Sequence, residues 1–223
     1  IVPMKWRSWW DFGSGGLGDW GCHLLDVVFL AYPELTSPYS VRSECPTPPD
    51  RHFHSPACKA TMRYKVDSPR FAEKDVAVHY YHPSLKPAPE ELGLKDWPEQ
   101  GTLTAIVGEK GTLLVEPEGR SRLWRDGKME EGSRLEGLPK LQPFNHWHSW
   151  VDKCLGKAVE PLTPFAQAVK ITEATILGVK ASRYPGQELL WDKAGLRFTN
   201  HKEATDTLVR RVYRQGFAPP RVG

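Results

Sequence analysis

The feature that most constrains this chain is a glycine-rich turn that leads directly into a long apolar run. Gly13-Ser14-Gly15-Gly16-Leu17-Gly18 precedes Asp19, and nearly all the residues that follow are apolar as far as Tyr32. Such a run predicts a largely buried helix that starts at the glycines. Residues four apart share one helix face, so we expect the Asp19 carboxylate to contact the His23 imidazole, with Asp26 on the same stripe. A carboxylate–imidazole pair beside a glycine-lined approach is a common way to build a general base.

The same spacing also has a purely structural explanation. An acidic residue such as Asp19 is favourable in the first turn of a helix, where it can cap the chain and interact with the helix dipole. His23 would then be a satisfied polar partner within a core. Structural ion pairs and catalytic pairs look alike in a sequence. The pattern alone therefore leaves both interpretations open.

The rest of the chain alternates between strand and helix patterns. Strands are predicted at 40–44, 59–66, 76–81, 101–108, 111–116, 121–125, 189–191 and 196–198, and helices at 145–155, from Pro164 to Pro185-Gly186, and at 201–214. A proline-rich surface excursion covers 82–101, no element is predicted between 126 and Pro143, and a loose tail covers 217–223. Consecutive antiparallel strands between helices are typical of an α+β protein. We expect one domain over residues 1–223, with an open, mostly antiparallel sheet and helices packed on one face.

Composition indicates a globular protein and excludes some classes of partner. The 223 residues are 39% hydrophobic and 26% charged, and a net charge of +3 is too small to indicate nucleic acid or a membrane surface. We expect the basic cluster of Arg210, Arg211 and Arg214 to be the solvated face of a helix. No apolar run reaches the length of a membrane span. The chain begins at Ile1, so we expect a fragment of a longer protein, and cytoplasmic and periplasmic locations both stay open.

The four cysteines are too few for a disulfide framework at this chain length. Cys22 and Cys154 lie in predicted helices, where we expect small buried side chains. A proline-rich loop contains the other two with a pair of histidines: Cys45, His52, His54 and Cys58. A zinc site is one interpretation, although the spacing matches none of the common structural patterns. The alternatives are a loop with incidental histidines, or a disulfide formed after secretion. We predict no metal centre.

The glycine motif resembles a cofactor loop but has the wrong surroundings. Gly13, Gly15 and Gly18 match G-x-G-x-x-G, which indicates dinucleotide binding only after a buried parallel strand. The preceding segment, Ser8-Trp9-Trp10-Asp11-Phe12, is not such a strand, and Asp19 would lie where a pyrophosphate should. The glycines more plausibly let a substrate or cofactor ring approach the backbone. Aromatic side chains around the turn suit sugar rings, and the candidate substrate contacts are Trp9, Trp10, Gly16 and Trp20. Tyr80, Tyr81 and His82 are assigned to a strand edge, and contact with a ligand is the alternative interpretation.

The segment from Trp6 to Asp26 resembles the start of the C-terminal domain of the Gfo/Idh/MocA family (glucose–fructose oxidoreductase, inositol dehydrogenase and rhizopine catabolism proteins). The shared pattern is a glycine-rich turn, then Asp-x-x-x-His, then a further Asp. Supporting similarities lie at 107–113, at 169–178 and from Trp191 to Arg214. The resemblance therefore spans essentially the whole chain.

The resemblance implies a two-domain enzyme in which this α+β domain shapes the substrate site. An N-terminal Rossmann domain, absent from these residues, would bind NAD or NADP and carry the catalytic lysine. His23 would remove a proton from a sugar or cyclitol hydroxyl, Asp19 would hold the imidazole and bind the same substrate, and Asp26 would be structural. Glu109-Lys110-Gly111 is a hairpin turn and is not that lysine. We expect the chain to be inactive alone and to form homo-oligomers through its open sheet.

Two other functions stay open. The first is a relative of the same fold that uses bound NAD to cleave glycosides through a transient keto sugar, which would also use Asp19 and His23. The second is a non-catalytic oligomerisation or binding module, for which His23→Ala should not affect any ligand. Fold alone does not decide among these functions.

Overall fold

The computed structural model describes residues 4–82, 84–97, 101–132, 145–161, 164–209 and 213–217. The helices are α1 (Gly15–Ala31), α2 (His146–Cys154), α3 (Phe165–Ala181) and α4 (Lys202–Ala204), and a π-helical turn, Thr205–Val209, follows α4. The strands are β1 (Ser40–Glu44), β2 (Cys58–Lys65), β3 (Asp75–His82), β4 (Thr104–Gly108), β5 (Gly111–Val115), β6 (Ser121–Arg125), β7 (Lys128–Glu131), β8 (Glu188–Asp192) and β9 (Arg197–Phe198). Short 3₁₀ turns lie at Lys5–Ser8 and Pro89–Leu92.

The larger sheet has five strands in the order β3-β2-β1-β8-β9, and each neighbouring pair is antiparallel. Side chains alternate across β2: Ala60, Met62 and Tyr64 are buried, whereas Lys65 is exposed and Arg63 is half-buried. Successive residues of a strand point to opposite faces. One face of this sheet is therefore apolar and the other is polar.

The apolar face is covered by α1 and α3, which also pack against each other. A side chain at Gly21 would press on Thr175, and a Cβ at Gly178 would lie 2.9 Å from Leu17 Cδ2, so these small residues let the two helices approach closely. Phe29 of α1 is fully buried in the resulting core. Burial of this face fixes the position of the glycine-rich turn at the start of α1.

The smaller sheet has four antiparallel strands in the order β4-β5-β6-β7. Thr104 Oγ1 on its edge strand donates to the Leu24 carbonyl of α1 over 2.8 Å. Leu114 of this sheet is also buried. The second sheet is thus tied to the same helix as the first.

The predicted fold class is confirmed: the protein is α+β, with open antiparallel sheets and helices packed on one face of the larger one. The strands form two sheets, however, where the prediction has one. Strand β7 was not predicted; it follows an Asp126-Gly127 turn in which both residues have positive φ, 51° and 73°. An Asp-Gly pair with positive φ is typical of a tight hairpin.

The C-terminal helix is shorter than predicted. Among the described residues of this segment, regular α-helix covers Lys202–Ala204, and the π turn follows. The Thr205 hydroxyl accepts from the Phe198 N–H over 2.9 Å, which ties this point to β9. Threonine hydroxyls that bond to the backbone compete with helix formation. Arg210, Arg211, the segment 133–144 and the end of the tail at 218–223 lie outside the described residues.

The prediction that Cys22 and Cys154 are buried is wrong, because both lie on the solvent side of their helices and are exposed. Helix α1 is accordingly one-sided: Leu17, Leu25 and Phe29 are buried, whereas Leu30 is 57% exposed. None of the helices in the described ranges is long and apolar enough to cross a membrane.

Adjacent residues of α1 provide a test of this packing. Phe29→Ala should lower the free energy of unfolding by about 3–5 kcal/mol, because it leaves a cavity in the core. Leu30→Ala, at an exposed neighbouring position, should change it by less than about 0.5 kcal/mol. Urea denaturation followed by circular dichroism measures both values. Equal losses in the two variants would contradict the described orientation of α1.

Candidate functional site

The glycine-rich turn is held in place by the loop between β1 and β2. Trp10 N–H donates to the His52 carbonyl, and His54 N–H donates to the Ser8 carbonyl, each over 2.9 Å. Between these bonds, the rings of Trp9 and Phe53 lie 4.2 Å apart. The loop therefore folds back over the turn and fixes the start of α1.

His54 fills the space beside the turn. Its ring lies 3.5 Å from that of Trp10, and its Nε2 is 3.1 Å from the Gly13 carbonyl oxygen. Gly15 has a φ of +66°, and a Cβ there would be 2.7 Å from the His54 ring. The Arg183 guanidinium lies 3.8 Å from the centre of the Trp10 ring. This arrangement explains why the turn needs glycine at position 15.

A second histidine lies against Gly16. A Cβ at Gly16 would be 1.9 Å from His82 Nε2, so only glycine leaves room for the imidazole. Tyr80 stacks on His82 with ring centres 6.3 Å apart, and its hydroxyl donates to the Gly16 carbonyl over 3.4 Å. Both aromatic residues come from the core-facing side of β3. The ring that approaches the Gly16 backbone is thus the protein's own.

Asp19 does not bond to His23. Its Oδ2 forms an ion pair with Arg7 Nη1 at 2.9 Å, and in the described part of the chain no hydrogen bond joins it to the imidazole. His23 is exposed and meets the edge of Trp20, with ring centres 5.7 Å apart. The expected Asp19–His23 contact is therefore replaced by a contact with Arg7, which the neighbouring 3₁₀ turn brings to the helix.

A large groove opens next to this end of α1. Its volume is about 1610 Å³, and it runs between α1, the edge strand β3 and the edge strand β4. Trp20, which is 43% exposed, lies at its rim. Tyr80, Tyr81 and His82 also line it, whereas Gly16, Asp19 and His23 are not among its lining residues.

Burial is the largest influence on the pKa values of His82 and Tyr80 in this wall. Burial lowers the pKa of His82, and the negative charge of Asp19 acts in the opposite direction. Burial also raises the pKa of Tyr80, with smaller contributions from Cys58 and Asp19. His82 is therefore neutral near pH 7. A neutral imidazole has one donor and one acceptor nitrogen.

The structure separates the predicted site residues into two groups. Gly16, Asp19, Trp20 and His23 share one face of the first two turns of α1. Trp9 and Trp10 instead pack within the turn, against Phe53 and His54. Asp26 lies further along α1, with Oδ1 buried and no hydrogen-bond partner within the described residues. Substrate contact by any of them stays a prediction.

His82 and Tyr80 are residues that sequence reasoning assigned to a strand edge, with ligand contact as the alternative. Alternation along β3 puts them on the same side as Val76 and Val78, which pack against the core. That alternation was visible in the sequence. Which helix residue they meet was not visible, because the contact joins residues more than sixty positions apart.

The proposed zinc set has no support from the geometry. Among the residues that the structure describes, no three His, Cys, Asp or Glu side chains come together in a way that could hold a metal ion. Cys45 and Cys58 are free thiols. Burial raises the pKa of both, that of Cys58 to about 12. His54 of this loop supports the glycine-rich turn.

The glycine-rich turn does not fit a dinucleotide. Among the described residues, a 3₁₀ turn at Lys5–Ser8 precedes the glycines and no strand comes before α1, so the turn does not open the helix of a unit of two parallel strands. The imidazoles of His54 and His82 occupy the space next to Gly15 and Gly16 where a pyrophosphate would approach. These residues thus do not provide the anion site that such a cofactor requires.

Neither a scan against models of known protein families nor a search of curated proteins found a match to this chain.

The buried His54 makes stability depend on pH. Burial lowers its pKa from 6.5 to about 4, and the charges of Arg183 and Lys180 add to this effect. Between these two pH values, His54 binds a proton in the unfolded chain but not in the folded chain. The contribution of His54 to the free energy of unfolding is therefore fully present above pH 6.5 and is lost as the pH falls toward 4.

Urea denaturation between pH 4 and 7 measures this dependence. His54→Gln should reduce the loss of stability on acidification, whereas His52→Gln, at an exposed position in the same loop, should leave it unchanged. The same pH dependence in all three proteins would contradict the described burial of His54.

Proposed function

We propose that this chain is the substrate-binding half of an NAD(P)-dependent oxidoreductase that acts on a hydroxyl group of a sugar or cyclitol. The observation that supports the proposal is the stripe of Gly16, Asp19, Trp20 and His23 on α1, of which Trp20 also lines a groove large enough for such a ligand. The resemblance of this segment to the Gfo/Idh/MocA family supplies the reaction type.

The side chains of the stripe suit the proposed roles. His23 is exposed and can accept a proton from a substrate hydroxyl. Asp19 can accept a hydrogen bond from a neighbouring hydroxyl while its ion pair with Arg7 orients the carboxylate. Trp20 offers an aromatic face to the apolar side of a sugar ring. In this proposal the substrate lies between Asp19 and His23, which are neighbours on the helix without a direct bond.

The cofactor would be held by a separate N-terminal Rossmann domain, since the turn of this chain does not fit a dinucleotide. When bound, NAD or NADP would accept the hydride that leaves the substrate carbon. The residues described here would bind the ring, orient the reacting hydroxyl and hold its proton.

We also propose that copies of the chain associate through the polar face of the five-stranded sheet. Charges of both signs lie there, and Asp75 pairs with Arg63 at 3.1 Å and with Lys65 at 2.8 Å. Mixed charges can provide complementary pairs across an interface between copies.

Sedimentation equilibrium of the wild type and of Arg63→Glu tests this association. The wild type should form a dimer and the variant should dimerise more weakly, whereas a monomer in both would contradict the proposal.

The function is tested in the full protein that contains this domain and its cofactor-binding domain. His23→Ala should lower kcat for sugar or cyclitol oxidation by about 10²–10⁴-fold, because a general base is lost. His148→Ala, at an exposed position on α2, is the matched control and should keep full activity. The rise in absorbance of the reduced nicotinamide cofactor measures the rates of both variants.

The products distinguish the alternatives. A keto sugar formed together with reduced cofactor supports the oxidoreductase. Release of a free aglycone without net cofactor reduction would identify the glycoside-cleaving relative. Absence of nucleotide binding in calorimetric titrations would overturn the proposal and leave a non-catalytic binding module.

A further inference from the structure

We propose that His82 is a substrate-binding residue of this site, and that its imidazole forms a hydrogen bond with a ring hydroxyl of the sugar or cyclitol. The inference rests on the proposed function. It adds a contact from the sheet to a site that the sequence pattern locates on α1 alone. Four observations support it. Tyr80 stacks on the His82 ring, the missing side chain of Gly16 leaves room for that ring, His82 lines the groove, and the ring has no hydrogen-bond partner among the described residues.

The position of the His82 ring is fixed from two sides. Tyr80 stacks on it at an interplanar angle of 13°, and the Tyr80 hydroxyl is itself bonded to the Gly16 carbonyl. On the other side, Gly16 has no side chain, and a Cβ there would overlap the imidazole. A ring held in this way loses little conformational freedom when it binds a ligand.

The Nε2 end of the His82 ring lies against Gly16, and the ring has no polar partner among the described residues. Within the described part of the chain, no hydrogen bond or ion pair involves His82, although the side chain is half-buried. His79, three residues earlier on the opposite face of β3, has its Nδ1 2.9 Å from the Thr61 hydroxyl. Both histidines line the groove, but they differ in their contacts: His79 has a hydrogen-bond partner in the sheet, whereas His82 has none among the described residues.

The groove brings a ligand to this ring. His82 and Trp20 both line the wall near the glycine-rich turn. A sugar ring against the Trp20 face would have its hydroxyl edges toward neighbouring polar groups. A neutral imidazole can donate to one hydroxyl and accept from another. This chemistry matches a polyhydroxylated ring better than an anion, which would favour a cationic side chain.

The inference is tested with three variants of the full protein. His82→Phe keeps an aromatic ring against Tyr80 and Gly16 but removes both nitrogens. Gly16→Ala keeps His82 but displaces its ring. His79→Phe, on the same strand and the opposite face, is the matched control. Circular dichroism establishes that each variant folds.

Calorimetric titration with D-glucose, myo-inositol and their monodeoxy analogues measures binding in the presence of NAD. We expect His82→Phe and Gly16→Ala to raise the Kd of the probe that binds best by about 10-fold or more, with His79→Phe unchanged. One deoxy analogue should bind more weakly than its parent to the wild type and equally well to His82→Phe. That loss of discrimination would identify the hydroxyl that His82 contacts, and a purely structural role would not produce it.

These measurements distinguish failure of the His82 role from failure of the proposed function. If His23→Ala abolishes turnover while His82→Phe keeps both the Kd and the deoxy-analogue discrimination of the wild type, the role of His82 is overturned and the proposed function holds. If none of the probes binds to the wild type and NAD does not bind either, the proposed function is overturned, and the inference with it. If His82→Phe does not fold, an unchanged Kd in Gly16→Ala overturns the inference.

Discussion

Burial of one face of α1 is the interaction on which the rest of the structure depends. Leu17, Leu25 and Phe29 anchor this helix against α3 and the five-stranded sheet, and the Leu24 carbonyl accepts a hydrogen bond from the second sheet. Apolar burial is the dominant favourable contribution to folding. Because the same helix carries Asp19, Trp20 and His23 on another face, the packing that stabilises the core also sets the orientation of the candidate site.

Side chains from other parts of the chain pack against the glycine-rich turn. His54 lies against Gly15 and His82 against Gly16, and each ring takes the space of an absent Cβ. Both imidazoles have a pKa below the usual value because they are buried. The turn thereby becomes a point where a loop, a strand and a helix meet. Its glycines serve close packing within the protein, and an open approach for a ligand is left on the Trp20 side.

The sequence was most informative where one periodic pattern extended over many residues. The apolar run after the glycines predicted α1, and the alternation of Ala60, Met62 and Tyr64 predicted a strand with one buried face. The sequence was less informative at turns and at the ends of helices. The Asp126-Gly127 pair is a strong hairpin signal that leads into β7, but the charged residues of that strand hide the alternation. Thr205 ends α4 through a bond to Phe198, a partner that helix periodicity does not reveal.

In the candidate site as well, the sequence predicted the local arrangement of the residues but not their distant partners. Helix geometry by itself placed Asp19 and His23 on one face, since positions four apart are neighbours on any α-helix. It could not decide what Asp19 binds. Arg7 lies on a separate 3₁₀ turn, and its guanidinium reaches the carboxylate only because the loop that contains His52 and His54 holds that segment against the helix.

The sequence by itself thus determined the fold class, the main helices and strands, and the stripe of polar and aromatic residues on α1. Each of these follows from short-range periodicity, which is a property of neighbouring residues. Only the tertiary structure decided that Asp19 pairs with Arg7, that the strands form two sheets, and that His82 lies against Gly16. These contacts join distant segments, and their geometry depends on how the whole core packs.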